Sequence, residues 1–282
     1  MFRRFKRMSS TYAAEKQVAI SAVLKACHVA RNVQHRLITE ETATKSDKSP
    51  VTGQSCLTPA CIYTVSENVR MVSVADYTAQ ALISKLIFAH FDHPLVGEED
   101  SSDLAQESQS TLKSHIVQLA NEALSTPLSC SEDEEAWSKL GEKYEADEWL
   151  QAIDKGNAEE TANGKCWALD PIDGTKGFLR KGQYAVCLAL LQDGKPVLGV
   201  MGCPNLPVDY TKPDGEKGVV FIAEKGQGAF QVSISFFCGL HRSSIGMLTE
   251  IIHFLHLATN QNVCFTTNDV CKILRISRSS SL

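Results

Sequence analysis

The sequence has 282 residues, of which 43% are hydrophobic and 22% charged, and its formal net charge is −5 at neutral pH. This length is enough for one large domain or two modest ones, and the composition is typical of a globular protein. The mild negative charge argues against a nucleic-acid groove, and no apolar run reaches bilayer length without charges, so neither a nucleic acid nor a membrane is an expected partner.

Ten cysteines are scattered along the chain without the paired spacing of a zinc site, apart from the loose pair Cys56 and Cys61. Cys166 and Cys187 lie in apolar, strand-like runs, where buried free thiols are ordinary. No apolar signal peptide precedes them, so reduced thiols and a cytoplasmic location are expected. The basic start, residues 1–7, leaves a mitochondrial presequence as an alternative.

Two amphipathic helices are predicted in the first third of the chain. Apolar residues at roughly helical spacing predict one long helix over residues 12–38. A second helix is predicted over residues 74–90, with Asp76 near its start. Between them, the polar residues 44–52 predict an exposed loop or hairpin.

A short strand, residues 95–97, is predicted to run directly into the acidic pair Glu98 and Glu99. The following residues, 101–160, are acidic and polar, and we interpret them as a solvated surface insertion that contains helices.

Strands dominate the part of the chain that follows. Residues 184–191 and 196–202 are joined by Gln-Asp-Gly-Lys, in which Asp-Gly indicates a hairpin. Residues 218–223 and 228–232 form a second such pair. Helices packed on a hairpin-rich sheet indicate an α+β fold.

The most informative segment is Asp-Pro-Ile-Asp-Gly-Thr at residues 170–175, which follows an apolar run. Pro171 removes one amide and biases Asp170 to an extended conformation. Gly174 lets the backbone approach a ligand closely, and Thr175 can cap the short helix that follows. Two carboxylates beside free amides at a helix start would hold divalent cations next to a phosphate, whereas the alternative is a solvated acidic turn.

This hexapeptide resembles the signature of the metal-dependent, lithium-sensitive phosphomonoesterases, a superfamily that includes the inositol monophosphatases and fructose bisphosphatases. Its continuation, Lys-Gly-Phe-Leu-Arg and then Gly-Gln-Tyr-Ala-Val-Cys-Leu-Ala-Leu, is similar to the 3′(2′),5′-bisphosphate nucleotidases of fungi and plants. The resemblance covers roughly residues 8–52 and 74–231. It implies a layered α/β sandwich whose N-terminal half has two long helices on an antiparallel sheet, and whose smaller α/β half is largely missing.

The resemblance also implies a Mg²⁺ site built from distant parts of the sequence. Glu98 by itself could equally be a turn carboxylate, but its place in the order Asp, Gly-Glu-Glu, Asp-Pro-Ile-Asp-Gly-Thr favours a metal site. The implied metal ligands are Glu98, Asp170, the carbonyl of Ile172, and Asp173.

Catalytic and substrate-binding roles follow from the same resemblance. Asp76 and Thr175 match the pair that orients and deprotonates the attacking water. Asp173, Gly174 and Thr175 would bind the substrate, with the two backbone amides of Gly174 and Thr175 around the phosphate. Asp76 by itself could instead be only an acid favoured by the helix dipole.

Two segments depart from the family pattern. Residues 53–73 interrupt a recognisable junction and have no amphipathic period, so we interpret them as a translated intron, with a surface loop as the alternative. After Gln231 the resemblance ends, whereas the related enzymes continue with a Trp-Asp-x-Ala-Ala-Gly segment whose aspartate completes the metal site. Residues 232–282 contain no tryptophan, and Asp269 lies in an unrelated setting. We therefore expect a phosphatase portion over residues 1–231, followed by an atypical tail.

The expected reaction is removal of the 3′-phosphate from adenosine 3′,5′-bisphosphate, giving AMP, or from its 5′-phosphosulfate form. The Thr-Lys-Gly-Phe-Leu-Arg extension favours this nucleotide over inositol phosphates, the substrates of sister phosphatases. An inactive, truncated family member is a third hypothesis, favoured by the missing aspartate. The expected partner is a small-molecule nucleotide, and no protein partner is implied.

Overall fold

The structure, a computed structural model, describes residues 10–45, 59–126, 128, 137–159 and 161–239. Within the two long helices, side chains are described up to Arg36 and again from Met71. Residues 46–52 of the predicted loop, the cysteine at position 56 and the predicted tail beyond Gly239 therefore lie outside the described residues.

Two long helices form one layer of the fold: α1 spans Ala13–Lys45 and α2 spans Pro59–His90. The first confirms the predicted long helix. The second begins much earlier than residue 74, so Asp76 lies in the helix interior and the prediction that it lies near the start is wrong. Proline is favourable at a first helical position, where its missing amide has no helical partner.

The early start of α2 concerns the segment that was interpreted as an insert. Residues 59–73 are helical and continue without a break into the rest of α2. Their apolar residues do not recur at helical spacing, so the sequence pattern did not predict a helix there. Extending an existing helix is much easier than nucleating one, and the packed part of α2 provides that start. The intron interpretation of residues 53–73 stays a prediction.

The second layer is a single six-stranded sheet in which the strands neighbour one another in chain order. The strands are β1 (Leu95–Val96), β2 (Lys165–Asp173), β3 (Ala185–Gln192), β4 (Lys195–Pro207), β5 (Lys217–Glu224) and β6 (Gly228–Ser233). β1 runs parallel to β2, and every other neighbouring pair is antiparallel. The architecture is α+β, as expected.

The Asp-Gly turn between β3 and β4 has the backbone conformation that its sequence predicts. Asp193 and Gly194 have φ angles of 52° and 68°, both in the left-handed region. Two successive residues of this kind define the turn whose twist matches antiparallel strands. The hairpin prediction is therefore confirmed.

Small residues are buried along α1, and a glycine lies where this helix crosses the sheet. Ala22, Ala26 and Ala30 recur every four residues along α1 and are fully buried. Gly202 of β4 lies beneath α1, and a Cβ there would come within 2.3 Å of the Cys27 sulfur. α1 contacts β3 and β4, while α2 contacts β2 and also packs against α1.

The polar segment over residues 101–160 contains helices, as predicted, but it is not merely a solvated insertion. It includes two short 3₁₀ turns and the helices α3 (Ser110–Ser125) and α4 (Ala146–Asp154). Leu104, Ile116 and Trp149 are buried, and both helices contact α2. The acidic composition of this segment led to the prediction of a solvated surface, whereas its apolar residues extend the core along α2.

Two short helices complete the described fold: α5, Thr175–Leu179, follows β2, and α6, Ile234–Gly239, follows β6. Cys166 and Cys187 are buried free thiols, as expected from their strands. Among the described residues, no helix is both long enough and apolar enough to cross a bilayer.

Candidate active site

A bulge at the end of β2 determines where the two aspartates of the hexapeptide point. Asp170 pairs with Cys187 of β3, and Asp173 pairs with Ala185. The two aspartates are three residues apart and their partners only two, so β2 holds one extra residue between these pairs. Cys187 and Ala185 face the same side of β3, because side chains alternate along a strand. Asp170 and Asp173 therefore share one face, whereas a regular strand would place them on opposite faces.

The electrostatics of the neighbouring thiol agree with this placement. Burial raises the pKa of Cys187 well above its usual range, and the negative charges of Asp170 and Asp173 raise it further. Asp173 is half-buried, and desolvation raises the pKa of its carboxyl, an effect that a hydrogen bond from the Gly174 amide opposes.

Asp76 joins this group from the interior of α2. Its side chain is only 8% exposed, and burial is the main reason why its pKa lies well above the usual range. The negative charges of Glu99, Glu98 and Asp170 raise that pKa further. The structure thus brings together three acids that the sequence placed in the site, Asp76, Glu98 and Asp170, from three separate chain segments. Asp173 is not among the charges that raise the pKa of Asp76.

Glu98 and Glu99 lie in the turn that follows β1, and they differ in environment. Glu98 is exposed. Burial and then the charge of Glu98 raise the pKa of Glu99 to about 7, although a hydrogen bond with Tyr77 lowers it. Tyr77 follows Asp76 on α2, so the same helix contacts this turn and contributes a carboxylate to the cluster.

The turn from β2 into α5 depends on Gly174. Gly174 is the N-cap residue and has a φ of 88°, a conformation that glycine adopts without strain. Thr175 was predicted to cap the helix, but it is the first helical residue and makes no capping bond. Its hydroxyl instead lies 3.5 Å from the carbonyl oxygen of Ile172, to which it donates. This contact links two of the candidate site residues across the turn.

The segment after α5 is held in place from α1 and β4. Gln34 of α1 donates its side-chain amide to the Phe178 carbonyl at 2.9 Å. Asn205 of β4 donates to the Gln34 side-chain oxygen at 2.8 Å and to the Gly182 carbonyl at 2.7 Å. These bonds fix the position of α5 relative to the sheet, and hence the turn at Gly174.

The donors in this cluster fit a hard divalent cation in their chemistry. They are carboxylate oxygens, which Mg²⁺ prefers, and the negative charges of Glu98 and Asp170 disfavour ionisation of the buried Asp76. A bound cation relieves that repulsion. Within the part of the chain that the structure describes, no three side chains among His, Cys, Asp and Glu lie close enough together to hold a metal ion. The cluster suits a divalent cation because its donors are carboxylate oxygens and its net charge is negative.

Sequence reasoning assigned no role to two residues at this site, Tyr77 and Gln80. Tyr77 hydrogen-bonds with the Glu99 carboxyl. Gln80 is fully buried and contacts the backbone of the Glu98–Glu99 turn. The available signal was a glutamine one helical turn after Asp76, a spacing that places the two side chains on one helix face.

Comparison with known proteins adds an independent line of information. The sequence matches the inositol monophosphatase family over residues 68–267. It is 38% identical over 230 residues to the 3′(2′),5′-bisphosphate nucleotidase of Schizosaccharomyces pombe, covering 79% of this chain and 57% of that protein. It is 39% identical over 230 residues to 3′(2′),5′-bisphosphate nucleotidase 1 of Arabidopsis thaliana, covering 78% and 56%. The chain thus spans somewhat more than half the length of these curated relatives.

Among solved structures, the chain is similar to a bacterial member of the inositol monophosphatase family from Bacteroides thetaiotaomicron. The TM-score is 0.41 at 20% identity, and the match covers 86% of this chain and 56% of that one.

Proposed function

The chain belongs to the inositol monophosphatase family, and from that premise we propose that it is a Mg²⁺-dependent phosphomonoesterase that acts on a nucleotide. The proposed reaction removes the 3′-phosphate of adenosine 3′,5′-bisphosphate, or of its 5′-phosphosulfate form. The names of relatives at 38% and 39% identity support this substrate. The observation that carries the proposal is that Glu98 and Asp170, which lie far from Asp76 in the sequence, are close enough in the fold for their negative charges to raise the pKa of Asp76.

Metal binding is assigned to residues that offer hard oxygen ligands. When bound, Mg²⁺ would offset the negative charge of the phosphate and lower the pKa of a coordinated water. Asp170 and Asp173 share one sheet face and can contribute to a common site. The proposed ligands are Glu98, Asp170, the Ile172 carbonyl and Asp173.

Proton transfer is assigned to Asp76 together with Thr175. Burial and neighbouring charges raise the pKa of Asp76, so its carboxylate is a stronger base than an exposed aspartate. The Thr175 hydroxyl is placed by its contact with the Ile172 carbonyl and can orient the attacking water. The backbone amides of Gly174 and Thr175, at the start of α5, are proposed to bind the phosphate oxygens together with Asp173.

The test is an assay of phosphate release from adenosine 3′,5′-bisphosphate, with and without Mg²⁺. Because the chain matches only 57% of the Schizosaccharomyces pombe relative, both the 282-residue protein and a version extended with the remaining part of that relative are assayed. We expect low turnover by the first, and Mg²⁺-dependent, Li⁺-inhibited turnover by the second. In the extended protein, Asp170→Asn should abolish turnover, because a neutral amide is a poor ligand for a divalent cation.

The exposed Asp214 provides a matched control, since Asp214→Asn makes the same chemical change at a carboxylate that is not among the charges raising the pKa of Asp76. Hydrolysis of inositol monophosphate in place of the nucleotide would move the assignment to the sister phosphatases. Equal loss of activity in both aspartate variants would remove the case for a specific role of Asp170.

A further inference from the structure

Gln80 is a fully buried polar residue in the middle of α2, one helical turn after Asp76. A buried carboxamide is unfavourable unless its donors and acceptors are used. All of its described hydrogen bonds go to the backbone of other segments. None of the proposed site roles accounts for this residue.

The Gln80 side chain connects three parts of the fold. Its oxygen accepts from the Glu98 amide at 3.1 Å and from the Glu99 amide at 3.0 Å. Its nitrogen donates to the Ile153 carbonyl at 3.0 Å and also to the Glu99 carbonyl. One carboxamide therefore clamps both sides of the Glu98–Glu99 turn and ties it to the end of α4.

Two glycines leave the space in which this carboxamide lies. A Cβ at Gly97 would come within 2.5 Å of the Gln80 oxygen, and one at Gly156 within 2.6 Å of its nitrogen. Such distances are too short for any side chain, so the turn after β1 and the segment after α4 both approach Gln80 without side chains. The amide of Gly97 also donates to the Gly156 carbonyl at 2.7 Å, which closes the contact.

We propose that Gln80 is a positioning residue that fixes the Glu98–Glu99 turn relative to Asp76. Asp76 and Gln80 lie on the same face of one helix, so the helix sets the distance between the carboxylate of Asp76 and the backbone that carries Glu98. A hydrogen bond between Tyr77 and the Glu99 carboxyl and the Gly97–Gly156 backbone bond also hold this segment, but the Gln80 side chain binds the backbone of both Glu98 and Glu99. The role in metal binding rests on the proposed function, whereas the anchoring of the turn does not.

The test compares Gln80→Met, which keeps the length of the side chain but removes its donors and acceptor, with Gln118→Met. Gln118 is exposed on α3, so it controls for the chemical change. Amide hydrogen exchange at Glu98 and Glu99 reports the anchor, and Mn²⁺ affinity, measured by electron paramagnetic resonance on the 282-residue protein, reports the site. We expect faster exchange at both amides and a loss of Mn²⁺ affinity of about tenfold or more in Gln80→Met only.

A second pair of variants changes the glycine side of the contact between Gln80 and Gly97. These variants also test the anchor if Gln80→Met does not fold. Gly97→Ala places a methyl group against the Gln80 oxygen, whereas a Cβ at Gly141 would make only an ordinary contact of 3.5 Å with Tyr144. Gly97→Ala should accelerate exchange at the Glu98 and Glu99 amides, and Gly141→Ala should not.

Unchanged exchange at these two amides in folded Gln80→Met or Gly97→Ala protein would overturn the anchor. Faster exchange with unchanged Mn²⁺ affinity would overturn the positioning role. Absence of Mn²⁺ binding by the unmodified protein would count against the proposed function, and the amide exchange would still decide whether Gln80 fixes the turn.

Discussion

Asp170 and Asp173 lie on the same face of the sheet, although they are three residues apart in one strand. The extra residue between their pairing partners Cys187 and Ala185 causes this, since a bulge reverses the alternation of side chains beyond it. Two carboxylates on one face can contribute to one cation site, and those on opposite faces of a sheet cannot. The function proposed for the hexapeptide therefore depends on a local irregularity of β2.

A double-mutant cycle tests whether these two aspartates act on one ion. We expect Asp170→Asn and Asp173→Asn each to weaken Mn²⁺ binding, and the double variant to lose less than the sum of the two effects. Residues that share a ligand are not additive, because the first substitution already removes much of what the second would disturb. The same cycle with Asp214→Asn should be additive, and additivity in both cycles would argue for separate sites.

Glu99 should make the stability of the protein depend on pH. Its pKa is raised from 4.5 to about 7 in the folded state, so the folded protein holds this proton more tightly than the unfolded chain does. The corresponding stabilisation is complete below about pH 4.5 and is lost as the pH rises to about 7, with a size of up to about 3 kcal/mol.

Glu99→Gln should therefore flatten the curve of unfolding free energy against pH in that window, as measured by urea denaturation. The exposed Glu107 on the neighbouring 3₁₀ turn, changed to Gln, is the matched control for the chemical change itself. An unaltered curve in Glu99→Gln would mean that another group controls the pH dependence.

Gly177→Ala should destabilise the segment that follows the hexapeptide. A Cβ at Gly177 would lie 2.0 Å from the backbone carbonyl oxygen of Gln183, and a backbone atom cannot move away as a flexible side chain can. We expect a loss of roughly 1–3 kcal/mol in unfolding free energy, measured by chemical denaturation. Gly141→Ala, where the space is open enough, should stay within about 0.5 kcal/mol. A neutral effect at Gly177 would show that α5 adjusts its position freely.

The ion pair between Lys16 and Glu224 should contribute more than an exposed pair. Its atoms are 2.7 Å apart, and the Glu224 side chain is only 2% exposed. Lys16→Met leaves a buried carboxylate without its cation, and we expect a loss of about 3 kcal/mol in unfolding free energy. Adding Glu224→Gln to this variant should recover part of the loss, because the buried charge is then removed.

An exposed pair in the same protein provides the comparison. Arg36 and Glu122 lie 3.6 Å apart with side chains about half exposed, at 52% and 47%. Arg36→Met should change the unfolding free energy by less than about 1 kcal/mol, because water and salt screen the attraction. Equal effects at the two pairs would contradict the role assigned to burial.

Local chemistry in the sequence determined the elements with strong short-range signals. The apolar period of α1, the Asp-Gly turn at Asp193 and Gly194, and the strand hairpins all follow from the residues themselves. The hexapeptide likewise predicts Asp170 and Asp173 as site residues, because it combines two carboxylates with a proline and a glycine in one short segment. Such features depend on neighbours along the chain, so they can be read without the fold.

Only the tertiary structure decided how these residues meet. The extra residue in β2 is defined by its pairing with β3, and so the common face of Asp170 and Asp173 does not follow from their spacing alone. The burial of Leu104 and Trp149 also depends on contacts with distant segments. The clamp made by Gln80 requires three chain segments to converge on one carboxamide. Hydrogen bonds and charges act through space, and a pattern along the chain contains no distance between residues that only folding brings together.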